Sequence, residues 1–201
     1  KIKFYKTLVG KIKYRPDIDG LRAIAVLSVI VYHAKISLNN SYILNGGFLG
    51  VDIFFVISGY LISSIIFKEI KEKKNFSFLN FYERRVRRIF PVLFVVLLFT
   101  FFLGFLFLEP IFFVNLSNSI ISSLLFFSNI FFYITGIEYD APSSLNIPLL
   151  HTWSLSIEEQ FYIIFPILLL TINNLQKNKY FIIISIIIIS ILSAEVVGRY
   201  N

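Results

Sequence analysis

The 201 residues are 57% hydrophobic and 18% aromatic at a mean hydropathy of +0.78, whereas a soluble domain is about 45–50% apolar and about a quarter charged, so a soluble core is excluded. The net charge of +7 does not point to nucleic acid, because that reading needs basic residues on a solvated face, and here they flank apolar runs. With no cysteine the chain has no disulfide, thiolate nucleophile or cysteine-ligated metal, and no residue is assigned to a metal.

Spanning helices are expected at about Leu21–Ser37, Phe48–Phe67, Ile89–Leu108, Ser154–Ile172 and Phe181–Val197, each near the roughly 17–25 apolar residues a crossing needs. A sixth hydrophobic segment, Ile111–Ile134, crosses once, crosses twice or inserts halfway. Its polar residues Asn115, Ser119, Ser122 and Asn129 recur at near-helical spacing, which reads first as hydrogen bonding between helices. The runs are continuous rather than alternating, so the expected fold class is all-α, a polytopic transmembrane helix bundle and not a barrel. Asp17 and Asp19 after the basic N-terminal tract, and no small-residue cleavage site, argue against a cleavable signal peptide. The chain lacks methionine and stops just after an apolar run, so it reads as one membrane domain, 1–201, truncated on its C-terminal side.

Basic residues set the expected orientation. Seven fall in Lys1–Arg22, eight in Lys68–Arg88 and two at Lys177 and Lys179, leaving Lys35 and Arg199 of the nineteen on the other side. The positive-inside rule then places the N-terminus in the cytoplasm. The loop Thr135–Leu150 fits this poorly, with Glu138 and Asp140 and no basic residue.

Arg22 and His33 are eleven residues apart, about three helical turns, so they share one face about 16 Å apart. Alone, the pair reads as interfacial hydrogen bonding. Ionisable groups in hydrocarbon are costly unless paired or hydrated and so stand as candidates: Asp52 opens the second span, and Glu158 and Glu159 begin another, one turn after Trp153 and Ser154. With His33 and His151 they gather toward the outer side. A neutral imidazole oriented by a carboxylate can take a hydroxyl proton near neutral pH, as acyl transfer to an alcohol requires; the blander alternative is a buried pair holding helices together. On the inner side Arg84, Arg85, Arg87 and Arg88 offer bidentate phosphate forks, or simply anchor topology. Gly46, Gly47 and Gly50 permit close helix approach, and Pro166 is expected to kink its span.

Four stretches together resemble acyltransferase family three, integral membrane O-acyltransferases of envelope glycans. They are Tyr14-Arg-Pro-Asp-Ile-Asp-Gly-Leu-Arg through Tyr32-His33, Gly46 through Leu61, Phe81-Tyr-Glu-Arg-Arg-Val-Arg-Arg-Ile-Phe-Pro, and His151-Thr-Trp-Ser-Leu-Ser-Ile-Glu-Glu-Gln-Phe-Tyr. The resemblance implies a bundle of about ten helices, of which about six hydrophobic segments are present here. It implies a multi-pass enzyme of the bacterial inner membrane that moves an acyl group, commonly acetyl, from cytoplasmic acyl-CoA to a sugar hydroxyl of an envelope glycan or glycolipid such as lipopolysaccharide O-antigen. No permanently bound cofactor is implied; acyl-CoA is the donor substrate. The family's motifs fall on Arg22 and His33, on Arg85 and Arg88, and on Trp153, Ser154 and Glu158. His33 is then expected as general base with Asp52 or Glu158 as the orienting carboxylate, Arg22, Arg85 and Arg88 as donor-binding residues, and His151, Trp153, Ser154 and Glu159 on the acceptor side. A transporter or channel with an intramembrane His/carboxylate pathway is the rival reading, and a non-catalytic scaffold a third.

Overall fold

The structure, a computed structural model, describes residues 15–38, 41–73, 75–136, 147–174 and 179–200. Most of the N-terminal basic tract, Lys74, Glu138, Asp140 and Lys177 lie outside them. Its helices are α1 Pro16–His33, α2 Leu49–Lys73, α3 Phe78–Phe107, α4 Pro110–Leu124, α5 Ser128–Ile134, α6 Thr152–Asn174 and α7 Lys179–Tyr200. Two residues on each side pair antiparallel between α1 and α2, Ser37 with Tyr42 and Leu38 with Ser41. The all-α expectation holds. By length and composition α2, α3 and the 152–173 stretch of α6 can cross a membrane, while the apolar helices Pro110–Leu124 and Phe181–Val196 are shorter. The chain divides into two compact units, Lys1–Gln160 and Phe161–Asn201.

In the first unit α1 opens on Pro16, whose fixed φ and missing N–H suit a first helical turn, and on Asp17 and Asp19, which complement the positive end of the helix dipole. The close approach expected of the glycines is made between α1 and α2. A Cβ at Gly47 would stand 2.7 Å from Tyr32 Cβ and one at Gly50 would stand 2.8 Å from Val29 Cγ2, both also running into α1 carbonyl oxygens. Farther along, Glu69 is buried near the end of α2 and pairs with Lys73 at 3.2 Å and with Arg84 of α3 at 3.7 Å.

Helix α3 begins earlier than its apolar run. Ser77 caps it by accepting from the Asn80 amide at 3.4 Å, and the helix then carries the arginines before Ile89 rather than leaving them in a loop. Thirty residues make about 45 Å, longer than the roughly 30 Å hydrocarbon core. Leu93 and Leu97 of α3, Leu116 of α4 and Leu149 form a core cluster, with Phe113, Ile120, Phe126 and Leu155 packed on it.

The segment expected at Ile111–Ile134 is broken. Phe126, at φ 55°, ends α4, and α5 restarts two residues later. A bulky residue there is strained, and the Phe126 ring packs edge-on to Phe90 at 5.7 Å. Polar groups stitch the break to α6. Ser123 meets Thr152 at 2.8 Å, Ser128 meets Ser156 at 2.7 Å, and Asn129 donates to Gln160 at 3.1 Å. Hydrogen bonding between helices is thus confirmed for Asn129, whereas Ser119 and Ser122 use their hydroxyls on carbonyls of α4 itself.

In the second unit, α7 exposes isoleucines along its length, including Ile184, Ile187, Ile188, Ile189 and Ile191. Pro166 lies inside α6 without ending it.

Candidate active site

A cavity of about 550 Å³ opens among α1, α2, α3 and the start of α6. Apolar side chains, among them valines and isoleucines of α1 and α3 and Phe54 and Phe55 of α2, make most of its wall. The polar side chains on it are Arg88, His151, Thr152, Ser154 and Glu158. Spacings of three and seven residues put His151, Ser154 and Glu158 on one stripe of α6 and its leading turn, about 10 Å from end to end. Arg88 joins the same wall from α3. An arginine expected with one membrane face and carboxylate and imidazole groups expected toward the other therefore share one space.

Glu158 is half-buried, and its Oε1 accepts a hydrogen bond from Ser58 Oγ of α2, one hundred residues away in sequence. Ser154 Oγ donates to the His151 carbonyl at 3.1 Å. His151 lies just before the spanning part of α6. Although its ring is open on the cavity side, surrounding protein desolvates it, and this, followed by the charge of nearby His33, holds its pKa below the ordinary 6.5. A hydrogen bond to the Pro148 backbone opposes the shift. His151 is thus neutral at pH 7.

His33 ends α1 close enough to act on His151, but it is not part of the cavity wall. Its Nδ1 stands 2.9 Å from the Val29 carbonyl oxygen, which can only accept, so in the neutral ring Nδ1 carries the proton and Nε2 is the basic nitrogen. Tyr32 meets the imidazole edge-on at 5.3 Å.

The remaining candidates are spread around this centre. Asp52 is exposed on the first turn of α2, beside the cavity-lining Val51 rather than on the wall. Arg22 stacks over Phe54 at 5.8 Å, and Arg85 over Phe81 at 5.7 Å. Arg85 is also near enough for its charge to act on Glu159, whose Oε1 is buried with no hydrogen-bond partner among the described residues. Trp153 faces a second cavity, of about 440 Å³, with Asn129, Tyr133 and Leu150. Among the described residues, no group of three or more His, Asp and Glu could hold a metal ion.

Two features were not singled out from the sequence. Ser58 and Gln160 each fall inside an expected span and within a stretch that carries the family resemblance, but nothing in the sequence marks either as acting on the site. The model of a family described as an acyltransferase domain matches residues 15–194. The chain belongs to this family. It is 40% identical over 182 residues to peptidoglycan O-acetyltransferase OatA of Listeria monocytogenes serovar 1/2a, covering 90% of this chain and 28% of that protein. It is 39% identical over 185 residues to O-acetyltransferase OatA of Staphylococcus aureus strain NCTC 8325, covering 90% of this chain and 29% of that protein. A provisionally named O-acetyltransferase of Staphylococcus aureus strain MSSA476 is 42% identical over 174 residues, 87% of this chain and 28% of the relative. The acyltransferase domain described here therefore spans under a third of the length of these relatives. No solved structure matches it.

Proposed function

We propose that the chain forms the membrane part of an O-acyltransferase that takes an acyl group, acetyl first among candidates, from cytoplasmic acyl-CoA and passes it to a sugar hydroxyl of an envelope glycan. The observation that carries this reading is the single cavity shared by Arg88, His151, Ser154 and Glu158 within an acyltransferase domain. The name of the Listeria relative makes peptidoglycan, rather than lipopolysaccharide O-antigen, the acceptor to test first. The proposed setting is the bacterial cytoplasmic membrane with the N-terminus inside, consistent with the flanking basic residues.

In this reading His33 Nε2 accepts the proton as the acceptor oxygen attacks the thioester carbonyl. The carbon–sulfur bond breaks, and the departing CoA thiolate takes up the proton that the imidazolium gives back, which restores the neutral ring. Glu158 stabilises the positive charge that develops on the imidazole side, and neutral His151 is its companion on the wall. Arg88 meets the phosphates of the donor, where a guanidinium fork suits phosphate oxygens, and Arg22 and Arg85 supply further positive charge toward them. The apolar wall excludes water that would otherwise hydrolyse the thioester.

The test uses the full-length protein in proteoliposomes with radiolabelled acetyl-CoA on one side and glycan on the other. Label is expected to reach the glycan with wild type. It should not with His33→Ala or with His33→Gln, which hydrogen-bonds but takes no proton at neutral pH. Ion or solute flux without acyl transfer would overturn the reading in favour of a transporter, and undiminished transfer by His33→Gln would remove His33 as the base.

A further inference from the structure

We propose that Ser58 and the Asn129–Gln160 pair are positioning residues that hold the Glu158 carboxylate toward the cavity. The proposal rests on the catalytic reading of that carboxylate given above. Ser58 is buried at 4% exposure on α2, which keeps it from a substrate in the cavity. Its hydroxyl reaches the site by donating to Glu158 Oε1.

One hydrogen bond fixes a carboxylate only if the helix beneath it cannot turn. At about 100° per residue, Gln160 points to the side of α6 roughly opposite Glu158. There Gln160 Nε2 donates to the Phe126 carbonyl at 2.8 Å and to Asn129 Oδ1 at 3.0 Å, while Asn129 Nδ2 donates to Gln160 Oε1 at 3.1 Å. The Phe126 carbonyl lies at the α4–α5 break, where the regular helical pattern stops, and in an apolar setting an unsatisfied carbonyl is costly. Gln160 satisfies it, and the same bonds lock the rotation of α6. The Ser128–Ser156 bond at 2.7 Å, one turn nearer the cavity end, fixes it a second time. Gripped from opposite sides, Glu158 is held in place before substrate arrives, so little side-chain freedom remains to be lost in the transition state.

The experiment uses the full-length enzyme in proteoliposomes, with acetyl-CoA and a peptidoglycan fragment as substrates and with abundance and thermal unfolding measured in parallel. Ser58→Ala is expected to lower kcat about tenfold to a hundredfold with both KM values unchanged. Ser58→Cys, similar in size but a weaker donor, should fall between Ser58→Ala and wild type. Gln160→Asn should also lower kcat, and adding Asn129→Gln, which exchanges the two amides, should restore part of it. An undiminished kcat in Ser58→Ala, or a higher KM at unchanged kcat, overturns the proposal. Loss of the folded protein in both Ser58 variants overturns it in favour of a packing role. Glu158→Gln separates the two readings. Full activity there removes the catalytic assignment itself, whereas an inactive Glu158→Gln beside an unaffected Ser58→Ala removes positioning alone.

Discussion

Two arginines that look alike in sequence are placed differently. Arg85 and Arg88 are one helical turn apart on α3, yet Arg88 lies on the cavity wall while Arg85 stacks over Phe81 and acts on Glu159. If the donor phosphates reach the cavity, Arg88→Lys keeps the charge but loses the fork, at about 1.5–3 kcal/mol, and the donor KM should rise roughly tenfold or more. Arg85→Lys should change it less, because its guanidinium is engaged elsewhere. Titrating purified full-length enzyme with acetyl-CoA at saturating acceptor measures both, and equal increases would place both arginines on the donor. The histidines part company in the same way. His33 and His151 both fall in stretches that carry the family resemblance, yet of the two it is His151 that lines the cavity. The two lie close enough for the charge of His33 to act on His151, although they are far apart in sequence.

Among the elements, the α1–α2 pair shows how one residue type acts in opposite directions. Gly20 has nothing within 4 Å of where a Cβ would be, whereas a Cβ at Gly50 would meet Val29 Cγ2 at 2.8 Å and the Ala25 carbonyl oxygen. Gly20→Ala should stabilise α1 by up to about 1 kcal/mol through helix propensity. Gly50→Ala should destabilise by about 1–3 kcal/mol, because the helices must move apart. Thermal unfolding of the purified protein in detergent should therefore rise for the first and fall for the second, and a rise for both would mean that α1 and α2 are not in close contact in solution. The broken α4–α5 segment has another origin. Its apolar composition reads as one span, but left-handed Phe126 ends the helix, and Phe90 and the polar side chains of α6 accommodate the break.

For the whole molecule, orientation decides which substrate meets which end of the cavity. A cysteine placed at Asn45, in the turn between α1 and α2, should react with an impermeant thiol reagent from outside intact cells. One at Lys73, at the other end of α2, should react only after permeabilisation. These 201 residues contain no native cysteine to interfere. The reverse pattern would exchange the donor and acceptor sides of the proposed reaction.

Membrane residence, helical class and family were legible in the chain by itself, because they depend on composition, on apolar runs and on motifs contiguous in sequence, such as His151 through Tyr162. The residue types of the site were legible for the same reason, since a charged or imidazole side chain in hydrocarbon stands out wherever it falls. Which of them meet was not. Ser58 and Glu158 are separated by one hundred residues, and Arg88 joins Glu158 on a common wall only because α3 begins at Phe78 and carries its arginines into the helix. Asp52 and Glu158 look equivalent as carboxylates at the starts of spans, and only tertiary packing puts Glu158 on the wall and leaves Asp52 exposed beside it. A sequence shows the spacing of residues along one helix, but the distance between helices is set by the close approach at Gly47 and Gly50 and by the bonds at the α4–α5 break, which form only when the helices are packed together.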